Sequence, residues 1–295
     1  KRIVKMYPVT LLDGENTFRA VSFNKIRIES EPAEISVNCG ASELAPPVLH
    51  VVVIGINKYK NSKLNLDYGV PDASAVRDHF AKSYVGIYNG IMKYELFDSN
   101  AKKEDIFAKL EELSNVPVQD TVVIYLSGHG DTHQDNWYYI PHDLTEISKN
   151  ALEDGGISSS MLQLYIARME ARKIFLMIDA CKSGGVMDAF SEFDDQRSFA
   201  LLARASGIHI ATAAAKEQNA GELGRLGHGI FTYSLLNALE GKADKNGDGK
   251  ISVQETLDHI KKEVPEVIQK YNIPAQNPVV NSRGMDFLVA AQPQQ

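Results

Sequence analysis

Cysteine is scarce in this chain: two in 295 residues, Cys39 and Cys181. Two distant thiols make no disulfide framework, and a reducing compartment such as the cytoplasm is the expectation. Long hydrophobic runs are missing as well. No apolar stretch approaches the roughly 20 residues needed to cross a bilayer, so no membrane partner is expected. Positive charge is in deficit, with 31 Lys and Arg against 38 Asp and Glu and a net charge of −7. A general nucleic-acid binder would show a basic face, so nucleic acid is not an expected partner. An acidic protein is instead suited to basic substrates. There is no internal repeat, no low-complexity tract and no signal-peptide pattern. The chain opens on Lys1 without an initiator methionine, which leads to the expectation of a fragment of a longer protein.

What is present is ordinary globular composition, 44% hydrophobic and 23% charged. The length allows one large domain, or one domain with a smaller module. Residues 18–38, FRAVSFNKIRIESEPAEISVN, are rich in β-branched and aromatic residues with partial alternation and no helical stripe. They read as two or three strands of a small β-module over 1–40. GASELAPP follows, and its glycine and two prolines make 41–47 a linker.

From residue 48 to 295 the pattern changes. VLHVVVIGI (48–56), TVVIYLS (121–127), KIFLMID (173–179) and IHIATA (208–213) are short continuous apolar runs, as in strands covered on both faces. Helical periodicity lies between them at about 72–83, 103–114, 158–171 and 229–240, then at about 252–271. MDFLVA (285–290) reads as a final strand. The alternation predicts an α/β domain with a mostly parallel sheet and helices on both faces.

Two of these strands end in unusual chemistry, and an open α/β sheet gathers its functional groups at the carboxyl ends of its strands. VVIYLSGHGD puts His129 between two glycines, and FLMIDACKSGG puts Cys181 just past its strand. A thiol attacks a carbonyl as its thiolate, and at an ordinary pKa of about 8.5 it is only partly ionised at neutral pH. An imidazole nearby can take the proton or give one to the leaving amine. A tetrahedral oxyanion then needs donors, and the N–H groups of Gly130 and Cys181 are candidates. A free cysteine on an apolar strand is most often simply buried, and a lone histidine is usually structural. The pair at two buried strand ends favours chemistry. Cys39, among polar residues, is assigned no role.

YLSGHGD and DACKSGG, in that order on core strands, resemble the His and Cys motifs of the caspase-like cysteine peptidases, with metacaspases and bacterial orthocaspases as the most similar branch. VVVIGINKY and LNLDYGVPDASAV resemble that family's first strand and loop, and GHGIFTYSLLNALEGKAD its late helix. The likeness spans roughly 48–290. It implies a caspase–haemoglobinase fold of six strands and a Cys181–His129 dyad, with Gly130 and Cys181 amides as oxyanion hole. It further implies an acidic pocket for an arginine or lysine side chain, built on Asp72 and Asp179, with Ser127 as a further pocket residue. Two carboxylates in a narrow cleft favour a cation and reject an acid. The other reading of Asp72 is a helix N-cap before ASAVRDHF. Lys182 departs from the family pattern, where histidine is frequent. The β-module resembles the last strands of an immunoglobulin-like domain, implying an upstream sensor or binding region in the same protein.

DKNGDGKISVQE (244–255) matches a calcium-binding EF-hand loop: Asp244, Asn246 and Asp248 at positions one, three and five, Gly249 at six, the Lys250 carbonyl at seven, Ser252 at nine and Glu255 at twelve. Calcium is therefore a possible ligand, although the chemistry requires no cofactor. An acidic turn joining two helices has the same composition. Between the nucleophile and the next strand, Lys182, Arg197 and Arg204 are candidate self-cleavage points, Arg197 foremost. The resulting expectation is a cysteine endopeptidase acting on protein or peptide substrates after Arg or Lys. The alternatives are an inactive caspase fold serving as an interaction scaffold, and a chain whose main purpose is calcium binding.

Overall fold

The computed structural model describes residues 6, 9, 11, 14–24, 28, 30–40, 45–133, 136–180, 208–213, 222–223, 227–272, 277–282 and 286–292. The chain divides into two compact units, Lys1–Pro46 and Pro47–Gln295. In the first unit, β1 (Gly14–Ala20) and β2 (Ala33–Cys39) form an antiparallel ribbon, from Gly14 opposite Cys39 to Ala20 opposite Ala33. Thr17 and Ser36 face each other across it, their hydroxyls 2.8 Å apart. Two strands bury little, and Ile35 is 63% exposed.

The second unit is a three-layer α/β structure. Its first half runs β3 (Val48–Gly55), α1 (Gly69–Ser83), β4 (Gly90–Phe97), α2 (Lys103–Glu112) and β5 (Thr121–Gly128). A small antiparallel sheet follows, made of β6 (Gly130–His133), β7 (Asn136–Tyr139) and β8 (Ile157–Ser158), with α3 (Lys149–Gly155) between the last two. Then come α4 (Ser159–Ala167), β9 (Lys173–Ala180), β10 (Ile208–Thr212) and the short β11 (Glu222–Leu223) and β12 (His228–Gly229). The chain ends with α5 (Ile230–Asn237), β13 (Lys250–Ser252), α6 (Val253–Tyr271), β14 (Val279–Ser282) and β15 (Leu288–Ala291).

The main sheet has six strands in the order β4-β3-β5-β9-β10-β14. The first five are parallel, and β14 closes the edge antiparallel to β10. This is the expected mostly parallel six-stranded sheet, with two differences in membership. β4 has no continuous apolar run, because as an edge strand it buries only Leu96. The 285–290 segment expected as a final strand contributes β15, which pairs with β13 and not with the main sheet.

Alternation in the central strands builds two cores. Val52, Ile54, Ile124, Leu126, Leu176 and Ile178 face α2 and α4, with Ile106, Leu110, Leu162 and Ile166 packed against them. Val51, Val53, Tyr125, Phe175 and Met177 face the other way, against Phe80 of α1, Phe231 and Leu235 of α5 and Leu257 of α6. Each such side chain contributes about 1.5–3 kcal/mol by leaving water. The period of two therefore puts Tyr125, Ser127 and Asp179 on the α1/α5 face. At the top of β3 the chain touches α1 through bare backbone: a Cβ on Gly69 would lie 2.5 Å from the Ile56 carbonyl oxygen. That contact sets the depth at which α1 enters the sheet.

Candidate active site

β5 and β9 are neighbours, and their parallel register pairs Ser127 with Asp179 and Gly128 with Ala180. His129 is the next residue on one strand and Cys181 the next on the other. Cys181 lies outside the described residues, as do Lys182, Arg197 and Arg204. The strand ends that precede His129 and Cys181 thus lie side by side in one ladder.

His129 is held from two directions by the loop after β3. Its Nε2 lies 2.8 Å from the Leu64 carbonyl oxygen. A carbonyl can only accept, so Nε2 carries the proton and Nδ1 is the basic nitrogen. The His129 backbone N–H donates to the Tyr59 hydroxyl at 2.8 Å, and the two rings lie 5.1 Å apart. Burial lowers the His129 pKa from its ordinary value, and the bond to Leu64 opposes this. The ring is therefore neutral at neutral pH. Gly128 is tightly surrounded, since a Cβ there would sit 2.8 Å from the Tyr59 hydroxyl and 2.9 Å from that of Tyr139. Tyr139 in turn donates to the Ser127 carbonyl at 3.0 Å.

The loop is itself pinned. The Asp98 carboxylate accepts from the N–H groups of Asn57 and Lys58, both at 2.8 Å. Asn57 accepts from Val70 N–H at 2.6 Å and so ties the loop to α1. Asn65 accepts from Tyr59 N–H at 2.9 Å. Gly130 opens β6, opposite Tyr139. The Ile140 N–H bonds the His129 carbonyl at 3.0 Å. By antiparallel alternation, Gly130 then occupies a non-hydrogen-bonded position and its N–H points away from β7.

Behind the ends of β5 and β9 lies a buried acidic cluster. Asp72, 1% exposed, is inside α1, its N–H bonded to the Tyr68 carbonyl at 2.9 Å. The helix begins at Gly69, so the N-cap reading of Asp72 does not hold, and its carboxylate points across to the chain before α5. One oxygen accepts from His228 Nδ1 at 2.7 Å and the other from Gly229 N–H at 3.1 Å. Asp179, 7% exposed, accepts from the Thr232 hydroxyl at 2.7 Å. Thr232 is also 2.6 Å from the Tyr125 hydroxyl. The two carboxylates converge on Gly229: a Cβ there would be 3.0 Å from an oxygen of each. Burial and the charges of Asp179 and Asp72 keep the Tyr125 hydroxyl protonated well beyond its ordinary range. Burial pushes Asp72 upward, against the opposing bonds to His228 and Gly229. His228 is raised, chiefly by its hydrogen bond to Asp72.

Residues 49–287 match the family described as caspase domain. The chain belongs to the caspase domain family. Membership supports cysteine peptidase activity in general and implies protein substrates. The caspase-like fold is seen again in the crystal structure of protein GSU0716 from Geobacter sulfurreducens. That structure aligns with a TM-score of 0.55 and 17% identity over 84% of this chain and 98% of its own. No curated protein matches.

Within this caspase domain, the structure gathers Ser127, His129 and Asp179 at adjacent strand ends and brings Asp72 to the same region through Gly229. The sequence reading did not single out Tyr59, Leu64, Thr232 or His228. His228 carried a signal, for it stands between two glycines just as His129 does. The EF-hand-like loop closes on its own backbone. Asp244 accepts from Gly247 and Gly249 N–H at 2.7 and 2.9 Å, Asn246 from Asp248 N–H at 2.9 Å, and Asp248 from Lys250 N–H at 2.8 Å. Ser252 and Glu255 form the capping box of α6. Gly249 has the left-handed φ of +76° that the sharp turn requires. Among the described residues no group of three or more His, Cys, Asp or Glu is arranged to hold a metal ion, and no helix is long and apolar enough to cross a membrane.

Proposed function

We propose that this caspase domain is an endopeptidase that cleaves after Arg or Lys through an acyl-enzyme on Cys181, as the effector part of a larger regulated protein. The observation that carries the reading is the β5–β9 register, which pairs Gly128 with Ala180, the residues just before His129 and Cys181 in the chain. His129 Nδ1 takes the thiol proton, because Nε2 already donates to Leu64. The thiolate sulfur bonds to the scissile carbonyl carbon, and the oxyanion draws on the N–H groups of Gly130 and Cys181. His129 returns its proton to the leaving amine as the C–N bond breaks. Water, deprotonated by the same imidazole, then cleaves the thioester and restores the thiol.

Substrate choice rests on Asp72 and Asp179. A carboxylate and a cation about 4 Å apart attract by roughly 4 kcal/mol at an effective dielectric constant near 20, whereas an acidic side chain is repelled to the same extent. Fluorogenic peptides ending in Arg, Lys or Asp, offered to wild type and Cys181→Ala, test the proposal. Cleavage is expected after Arg and Lys alone and none by the variant. Cleavage after Asp would overturn the specificity, and turnover by Cys181→Ala would overturn the mechanism.

A further inference from the structure

The acidic cluster contains a cation of its own. Both Asp72 oxygens are engaged, one by the His228 imidazole and the other by Gly229 N–H. The Asp72 side chain is 2% exposed and that of His228 27%, so the imidazole is the solvent-facing member of the pair. An incoming guanidinium that seeks Asp72 therefore meets a competitor already in place. Asp179 accepts from the Thr232 hydroxyl at 2.7 Å.

We propose that His228 is the specificity-determining counter-cation of the acidic pocket: protonated, it neutralises Asp72 and opposes a basic side chain, and a bound arginine or lysine takes its place by driving off its proton. Asp72 from α1, Asp179 from β9 and the Tyr125 hydroxyl from β5 are the titratable groups facing this point among the described residues. Tyr125 remains neutral, and His228 is the one base among these groups. The Asp72 carboxylate is balanced when His228 is charged and not when it is neutral. The proton leaves to solvent through the exposed edge of the ring.

The inference rests on the acidic-pocket reading, and the test separates the two. Benzamidine, a permanently cationic arginine mimic, is titrated as a reversible inhibitor of wild type and His228→Asn between pH 5.5 and 8.5. Asparagine keeps a donor near the Nδ1 position without a charge. For wild type the affinity is expected to rise by up to about tenfold per pH unit below the His228 pKa and then level off, as one linked proton requires. For His228→Asn it is expected to stay flat. Parallel pH slopes in the two proteins would overturn the role of His228 while leaving the pocket intact. Failure of benzamidine to bind either protein at any pH would overturn the pocket and this inference together. Calorimetry on wild type at pH 6 in buffers of different ionisation enthalpy needs no variant. It should show net proton release as benzamidine binds, and zero release would overturn the proposal.

Discussion

At the scale of single residues, two histidines divide the pH behaviour between them. Burial lowers His129, so the acid limb of kcat should fall below the ordinary histidine value of about 6.5. Asp72 raises His228, so KM for basic substrates should begin to climb above that value as pH falls. Separate pH profiles of kcat and KM check this, and coincident limbs would contradict it. Gly229 is a second point of control. Its φ of −57° suits any residue, but a methyl group there presses on both carboxylates at 3.0 Å. Gly229→Ala should therefore fold, while kcat/KM for Arg peptides falls about a hundredfold, equivalent to nearly 3 kcal/mol. Asp98 acts at greater distance, through the loop that carries Tyr59 and Leu64, and sits at a φ of +48°. Asp98→Gly removes two charge-assisted bonds without backbone strain and should lower kcat about tenfold or more with KM little changed. Asp98→Asn, which tolerates the same backbone, should recover most of that loss. The motif residues His129, Cys181 and Asp179 were legible because each stands at the end of an apolar run. Leu64 was not, because its contribution is a carbonyl oxygen that every residue possesses.

At the scale of elements, β3, β5 and β9 could be read directly, since strands buried on both faces leave no gap in their apolar runs. β4 and β14 could not, because edge strands tolerate polar residues such as Lys93, Glu95 and Asn281. α1 begins three residues earlier than the sequence pattern suggests, for Gly69 is drawn into the helix by its backbone contact with Ile56. Gly69→Ala cannot fit without parting α1 from β3 and should destabilise the fold by about 2–3 kcal/mol, read by chemical denaturation. α1 also buries His79, whose pKa is pushed down to about 4. The unfolded chain binds that proton near 6.5, so the stability His79 contributes is present above this value and is lost as pH falls towards 4. Wild type should lose about 3 kcal/mol over that window, and His79→Leu should lose correspondingly less. In the 244–255 loop, Asp244 satisfies two backbone donors by itself. Asp244→Ala should cost about 1–3 kcal/mol by leaving them bare, and measuring it with calcium and with chelator separates metal binding from turn formation.

At the scale of the whole molecule, a net charge of −7 has the same sign as the proposed acidic pocket. Cationic peptides should be drawn in before contact, so raising salt from about 0.05 to 0.5 M should lower kcat/KM several-fold and leave kcat unchanged. The division into Lys1–Pro46 and Pro47–Gln295 keeps the entire caspase-family match inside the second unit. In the proposed mechanism, that unit draws its reacting groups and part of its specificity from different parts of the chain. The reacting groups hang from a ladder of paired strands, in which a one-residue slip would turn every side chain to the opposite face. Asp179 shares that ladder, whereas Asp72 and His228 come from a helix and a two-residue strand 156 positions apart. On the proposed reading, selection can retune what this scaffold accepts by exchanging residues at those two places, generation after generation, without touching the strand ladder.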